Sequence, residues 1–405
     1  MSAPPRPAPD ALVISALLTA LVALGQISSS IYIPSMPSLV ADLATTPDHV
    51  SLTLSLFLFG FAVGQLVFGP LSDRFGRRPV LLGGLVLYLG ASVLCLVAPS
   101  IDALIAGRFA QGCAASVGPV LGRAIVRDVH GPDRSATVMA YIGAALAISP
   151  AIGPIIGGYL QTWFGWRAAF VFLAAVGSIL AVATHRLLAE TRPDSAGGTS
   201  LHRQLIAYAT LVRSQIFWAH TLAVAFIFSG LMAYTVGGPF VFIERLRLSP
   251  EHYGMLAVFT VASFLVGSLL AGRLTSRVGV ERMVRAGMSV SAAGGALLLS
   301  VTLVRPLSVV GIVLPMMAFT FGLALVMASG IAGAMAHFPS IAGAASALLG
   351  FVQMIVAGIA TVIVGAFPDN AALAMALTIA VTAAAGLALF SVLARRAPDR
   401  RRSPS

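Results

Sequence analysis

Apolar runs of about twenty residues, separated by short polar gaps rich in arginine, repeat along nearly the whole chain. Crossing ~30 Å of hydrocarbon at ~1.5 Å per residue takes about 20 helical residues. Runs of that size fall at 11–33, 50–72, 79–98, 101–126, 135–158 and 166–187, and again at 216–240, 253–274, 283–303, 307–330, 341–366 and 370–394. The pattern predicts twelve transmembrane helices in two sets of six, an all-α integral membrane protein. Residues 188–215, with Glu190, Arg192, Pro193, Asp194, Gly197, Gly198 and Arg203, form the one long polar stretch and read as a linker between bundles 11–187 and 216–394. Residues 1–10 and 395–405 read as polar tails, the first lacking the charged n-region and cleavage pattern of a signal peptide.

Composition sharpens that picture. Hydrophobic residues make up 58% of the 405, charged residues 10%, and the mean hydropathy is +0.95, outside the range of a water-soluble domain. The net charge of +11 does not point to nucleic acid, because no basic helix interleaves with aromatic residues. All 25 basic residues are arginine, and twenty of them fall in the tails and alternate gaps that share one side if the N-terminus is cytoplasmic. Positive charge stays on the cytoplasmic side of a bilayer, so both termini are expected there. Cys95 and Cys113 sit inside apolar runs and read as core residues. With no phosphate-binding Gly loop, metal-ligand pair or nucleophile elbow, neither an enzyme nor an ATP-driven pump is indicated, and no cofactor or metal is implied.

Several residues carry candidate chemistry. Gly69-Pro70-Leu71-Ser72-Asp73-Arg74-Phe75-Gly76-Arg77-Arg78 lies between two apolar runs, and a weaker copy, Gly272-Arg273-Leu274-Thr275-Ser276-Arg277-Val278-Gly279, begins 203 positions later, which indicates a duplicated bundle. Gly69 and Gly76 permit close helix approach and a tight turn, while Asp73 can pair with an arginine or receive a helix N-terminus. Such a loop can latch the cytoplasmic ends of the halves in one state and release them in another; the plainer alternative is that its arginines only fix topology. Arg108 lies ~9 Å into its span, where a cation costs roughly 2.5–3.5 kcal/mol. It is expected to face the interior, toward a ligand or proton site; the alternative is that it snorkels outward with Gln111 as its local partner. Pro150 and Pro154 with Gly153, Gly157 and Gly158 describe a bent, smooth-faced fifth span suited to a rocking interface.

Inward-facing polar and aromatic positions supply a candidate cavity wall: Gln26, Ser30, Tyr32, Tyr141, Tyr234 and Gln353, unless the aromatic ones only pack between helices. A mostly apolar cavity of that kind suits an amphipathic, weakly charged small molecule. No Asp or Glu falls well inside a predicted span. His220 and Asp128 remain as proton-coupling candidates, although Asp128 has Arg123, Arg127 and Arg134 as neighbours with which to pair.

The 69–78 stretch resembles the signature loop between the second and third spans of the major facilitator superfamily, and the second-half copy matches that superfamily's duplication. Arg108-Phe109-Ala110-Gln111-Gly112 resembles its fourth-span arginine motif, and Gly153-Pro154-Ile155-Ile156-Gly157-Gly158 the fifth-span motif of its drug/proton antiporters. Arg123-Ala124-Ile125-Val126-Arg127-Asp128 and Ala342-Gly343-Ala344-Ala345-Ser346-Ala347-Leu348 are similar to stretches of the Bcr/CflA group of bicyclomycin and chloramphenicol/florfenicol exporters. The resemblance implies a multi-pass transporter of the bacterial inner membrane, monomeric, expelling drugs by alternating access in exchange for protons. The first span departs from that group, with Ser30 where an aspartate usually precedes a Tyr-Leu-Pro-like sequence, here Ile31-Tyr32-Ile33-Pro34. That departure supports an alternative, a metabolite exporter or facilitator without obligatory proton coupling. The expected partners are a small amphipathic substrate, protons and the lipid bilayer, with no nucleic acid.

Overall fold

Hydrocarbon offers no hydrogen-bond partners, so a chain this apolar must satisfy its backbone internally, and the helix does so within each segment. The computed structural model describes residues 11–129, 132–192 and 201–396, which form helices joined by short turns. Twelve are long and apolar enough to cross a membrane. Spans 1 to 6 are Leu12–Asp42, Pro47–Phe75, Arg77–Leu96, Ile101–Val129, Tyr141–Phe164 and Arg167–Leu187. Spans 7 to 12 are Gln215–Arg245, Pro250–Val278, Val280–Val304, Val309–Ala336, Pro339–Gly365 and Pro368–Ala394. The twelve predicted runs are all present. Several helices outrun their apolar cores because proline starts them or tightens them rather than ending them. Pro47 and Pro250 open spans 2 and 8, where their missing N–H is no loss, and span 1 passes through a 3-10 turn at Ile33–Ser35.

The stretch read as a linker is partly helical. Leu201–Val212 forms a helix, with Leu211 fully buried and Ala207 nearly so, and Trp218 at the start of span 7 donates its indole N–H to the carbonyl of Val212. At twelve residues it is too short to register as a span. Pro193, Asp194, Gly197 and Gly198, the two tails, and the side chains of Arg134 and Arg203 lie outside the described residues.

The duplication is visible in the backbone. Gly76 and Gly279, again 203 positions apart, have φ of +98° and +93° with ψ of 154° and 149°. Each ends one span, donating its N–H to a carbonyl four residues back (Ser72, Thr275), and begins the next. A side chain is strained in that left-handed geometry, which explains glycine at both places.

Spans 1–6 form one bundle and spans 7–12 the other, and the two meet through span 2 against span 11 and span 5 against span 8. Without a hydrophobic force between helices in lipid, small residues set the closeness of approach. Long apolar side chains such as Val86, Ile179, Leu269 and Val310 are exposed on the outside, as a lipid-facing surface requires. At the arginine-poor end the bundles touch closely. Thr162 of span 5 donates to the Glu251 carboxylate of span 8, and the Ser55 and Thr361 hydroxyls of spans 2 and 11 lie 2.7 Å apart.

Candidate functional site

Between the two bundles lies a cavity of about 420 Å³. Spans 1, 2, 4 and 5 line it from one side and 7, 8, 10 and 11 from the other, and none of the described lining residues belongs to spans 3, 6, 9 or 12. The lining runs from Pro154 and Tyr253, near the arginine-poor end, to Arg123, Ile331 and Ser346, near the arginine-rich end. Apolar side chains such as Phe61, Phe228, Phe264 and Met354 dominate, and amides and hydroxyls of Gln26, Ser30, Gln65, Tyr234, Thr320 and Gln353 are set among them. Size and character suit a drug-sized amphipathic ligand.

Of the side chains predicted for the cavity wall, Gln26, Ser30, Tyr234 and Gln353 line it. Tyr32 does not. It is fully buried in the first bundle, its hydroxyl 3.0 Å from that of Thr53. The reason is helical phase: Gln26, Ser29, Ser30 and Ile33 share the cavity face of span 1, which turns Ser28 and Tyr32 to the opposite face. Tyr141 is also misplaced by the sequence reading, since it is 59% exposed on the outside of span 5. It precedes Gly143, which faces the cavity, by two residues, about 200° around the helix.

Arg108 and Gln111 face the interior of the first bundle instead of the cavity, and both are fully buried. The guanidinium lies between the rings of Tyr32 and Phe57, 4.2 Å from each centroid, with Phe170 at 5.9 Å. Its Nη1 donates to the Ser28 carbonyl at 3.0 Å and to Gln111 Oε1 at 2.5 Å, and the Gln111 amide passes the chain on to Ser92 Oγ at 2.8 Å. Nε and Nη2 have no partner. Span 2 closes over span 4 at this depth because Gly60 and Gly112 leave room only for backbone, a Cβ at either overlapping Phe109 or Phe57 main chain. That contact shuts the guanidinium away from the cavity.

Span 5 divides its motif between two jobs. Pro150 and Pro154 line the cavity, whereas Gly153 and Gly157 lie against Ser30 and Ile31 of span 1, and Gly158 against Pro250 and Glu251 of span 8.

At the arginine-rich end, Arg77 ties the signature loop together. Its Nη1 meets Asp73 Oδ1 at 2.5 Å and Ser72 Oγ at 2.6 Å, and its Nε donates to Asp128 Oδ2 at 3.1 Å. Asp128 therefore pairs with Arg77 rather than with Arg123 or Arg127. The carboxylate of Glu190, which the sequence offered only as linker polarity, accepts from the backbone N–H of Arg77 at 2.8 Å and of Arg78 at 3.2 Å, and from Thr191 and Arg192. Burial acts to raise its pKa, but these N–H groups outweigh it and hold the carboxyl below its ordinary value. Arg192 returns the contact by donating to the Arg74 carbonyl at 2.7 Å, Arg74 itself resting over the Phe75 ring, and Arg78 donates to the His185 carbonyl at 2.8 Å. A Cβ added at Gly69 would meet nothing within 4 Å, so no close helix approach depends on that glycine here. The loop partners Ser72, Asp128, His185, Glu190 and Arg192 belong to the first bundle and the start of the linker.

His220 is 3% exposed, packed against Gly333 and edge-on to Phe390, its Nδ1 unpartnered. It sits in the core of the second bundle. Neither proton-coupling candidate lines the cavity. The cysteines are free, Cys95 buried and Cys113 partly so. Gln65 and Arg123 are among the lining residues that the sequence reading did not name as site residues. Gln65, a lone amide in an apolar run, lies against Gly350 of span 11 and could have been found on the same grounds as Gln353. Arg123 drew notice only as part of a family-like stretch and as a neighbour of Asp128.

A twelve-span duplicated bundle with a cavity between its halves defines a carrier architecture. The chain belongs to the Major Facilitator Superfamily, whose family profile matches residues 18–361. It is 32% identical over 359 residues to a chloramphenicol resistance protein of Pseudomonas aeruginosa, covering 88% of this chain and 84% of that one. It is 29% identical to multidrug resistance protein D of Escherichia coli K12, covering 85% and 86%. A bicyclomycin resistance protein homolog of Haemophilus influenzae is 28% identical, covering 86% and 87%. Within the superfamily these relatives place the chain in the Bcr/CflA-type drug efflux group. A solved bacterial homolog of the human lysosomal transporter Spinster shares the fold, with a TM-score of 0.76 at 16% identity over 97% of this chain and 98% of that one.

Proposed function

We propose that the protein exports amphipathic small molecules across the bacterial inner membrane by alternating access, with its arginine-rich end in the cytoplasm. The observation that carries this reading is the cavity between the bundles. It extends to the arginine-rich end and is shut at the other by spans 5 against 8 and 2 against 11. A ligand entering from the cytoplasm would meet Arg123 and Ser346 first and Tyr253 last. Rocking of the bundles would part the Thr162–Glu251 and Ser55–Thr361 contacts and release it outside. Closing of the cytoplasmic end would bring the second bundle toward the Arg77 cluster.

Proton exchange is what the antiporter-like motif would supply, but the described cavity lining holds no Asp, Glu or His. A carboxylate or imidazole in reach of the ligand is the usual means of coupling the two movements. We therefore favour transport without an obligatory proton over strict antiport. In proteoliposomes with an imposed pH gradient, whichever compounds of a panel that includes chloramphenicol and bicyclomycin are moved should move with no substrate-dependent collapse of the gradient. A collapse that tracks drug flux would establish antiport instead.

A further inference from the structure

We infer that the ligand of this cavity is an amphiphile carrying a single negative charge, received by Arg123. The inference rests on the carrier reading above and names its substrate class. Arg123 is the one charged side chain among the described lining residues. The described ion pairs involve His49 with Asp48 and Arg77 with Asp73 and Asp128, so no described carboxylate neutralises Arg123. Asp128, five positions on, is committed to Arg77, and Arg127, one turn on, adds a second positive charge while giving its Nε–H to the Arg123 carbonyl. The other arginine of span 4, Arg108, is enclosed between aromatic rings and out of reach.

A cation partly withdrawn from water and left unpaired is unfavourable, and an incoming anion relieves that cost. A cationic ligand would meet repulsion with no acid to offset it, and a neutral one would leave the guanidinium unsatisfied. Arg123 lies six residues from the end of span 4, roughly 9 Å by helical rise, so the charged head sits toward the arginine-rich mouth. The apolar body then extends past Pro119 and Phe61. An anion also accounts for export without a proton site. The membrane potential, negative in the cytoplasm, drives a lone negative charge outward.

Three probes of one shape separate the possibilities: naphthalene-2-sulfonate, its neutral sulfonamide, and 2-naphthyltrimethylammonium. On the purified full chain in nanodiscs the sulfonate should bind at least about tenfold tighter than either of the others, as one relieved buried charge implies. In Arg123→Gln the sulfonate-to-sulfonamide ratio should fall to about one, and Arg123→Lys should retain several-fold selectivity, since a charge remains. Equal or tighter binding of the neutral or cationic probe to the wild type, or a ratio unchanged in Arg123→Gln, would overturn the inference. The wild-type ranking decides it even where Arg123→Gln does not fold. In proteoliposomes with valinomycin and potassium tenfold higher outside, the sulfonate should accumulate about tenfold. Selective binding with no flux of any probe would leave the anion site standing and remove the carrier. Flux of the neutral or cationic probe but not the sulfonate would do the reverse.

Discussion

A guanidinium with no carboxylate beside it is held inside the first bundle by two aromatic faces, a backbone carbonyl and an amide oxygen. Arg108 in this cage gains from cation–π contact, worth up to about 2 kcal/mol each when desolvated, and from hydrogen bonds to a charged group of roughly 1.5–3 kcal/mol. Its removal would strand Gln111 Oε1 and the Ser28 carbonyl and open a void between Tyr32 and Phe57. Arg108→Ala is expected to lose transport in a cell-based efflux assay and to melt at a lower temperature than wild type once purified. Arg108→Lys should fall short as well, because a compact ammonium cannot stack between two rings. Wild-type melting and wild-type resistance in Arg108→Ala would dismiss the cage as a support. That Arg108 is withdrawn from lipid was legible in the sequence, because a cation at depth needs partners. Which way it faces was not, since that depends on Gly60 and Gly112 drawing span 2 over it.

Spans 1, 5 and 8 meet at backbone distance, and glycine makes the meeting possible. At Gly157 an added Cβ would overlap the carbonyl oxygen of Ile31, and at Gly254 one would overlap that of Pro154. Backbone cannot swing aside as a side-chain tip can, so the helices themselves would have to separate. Gly157→Ala should therefore reduce transport strongly at normal membrane abundance. Gly83→Ala in span 3, which meets nothing within 4 Å, should transport as wild type. Equal activity in the two variants would count against a close-packed moving interface. Existence and number of the spans followed from the length of the apolar runs, since lipid leaves helices as the simplest solution. The linker helix Leu201–Val212 was illegible because its twelve residues, with Gln204 and Thr210 among them, are too few to form a membrane-spanning apolar run. Tyr32 and Tyr141 were misplaced for a related reason: span hydropathy is nearly uniform around the axis, so it does not report which face meets the cavity.

Across the whole molecule, two copies of one bundle enclose the cavity, and the contacts that close it lie at one end. The duplication was readable as a 203-residue offset between two loops, and it reappears as the matched backbone of Gly76 and Gly279. The site could be read only in part, because its wall is assembled from eight spans scattered through both copies. The Ser55–Thr361 contact gives direct access to the rocking motion, with hydroxyls 2.7 Å apart on opposite bundles. In a background with Cys95 and Cys113 replaced, the pair Ser55→Cys and Thr361→Cys should oxidise to a disulfide that fixes the arginine-poor end shut. Flux in proteoliposomes should then stop, with ligand still binding from the arginine-rich side, and should recover on reduction. Undiminished flux through fully cross-linked protein would contradict alternating access between the two bundles.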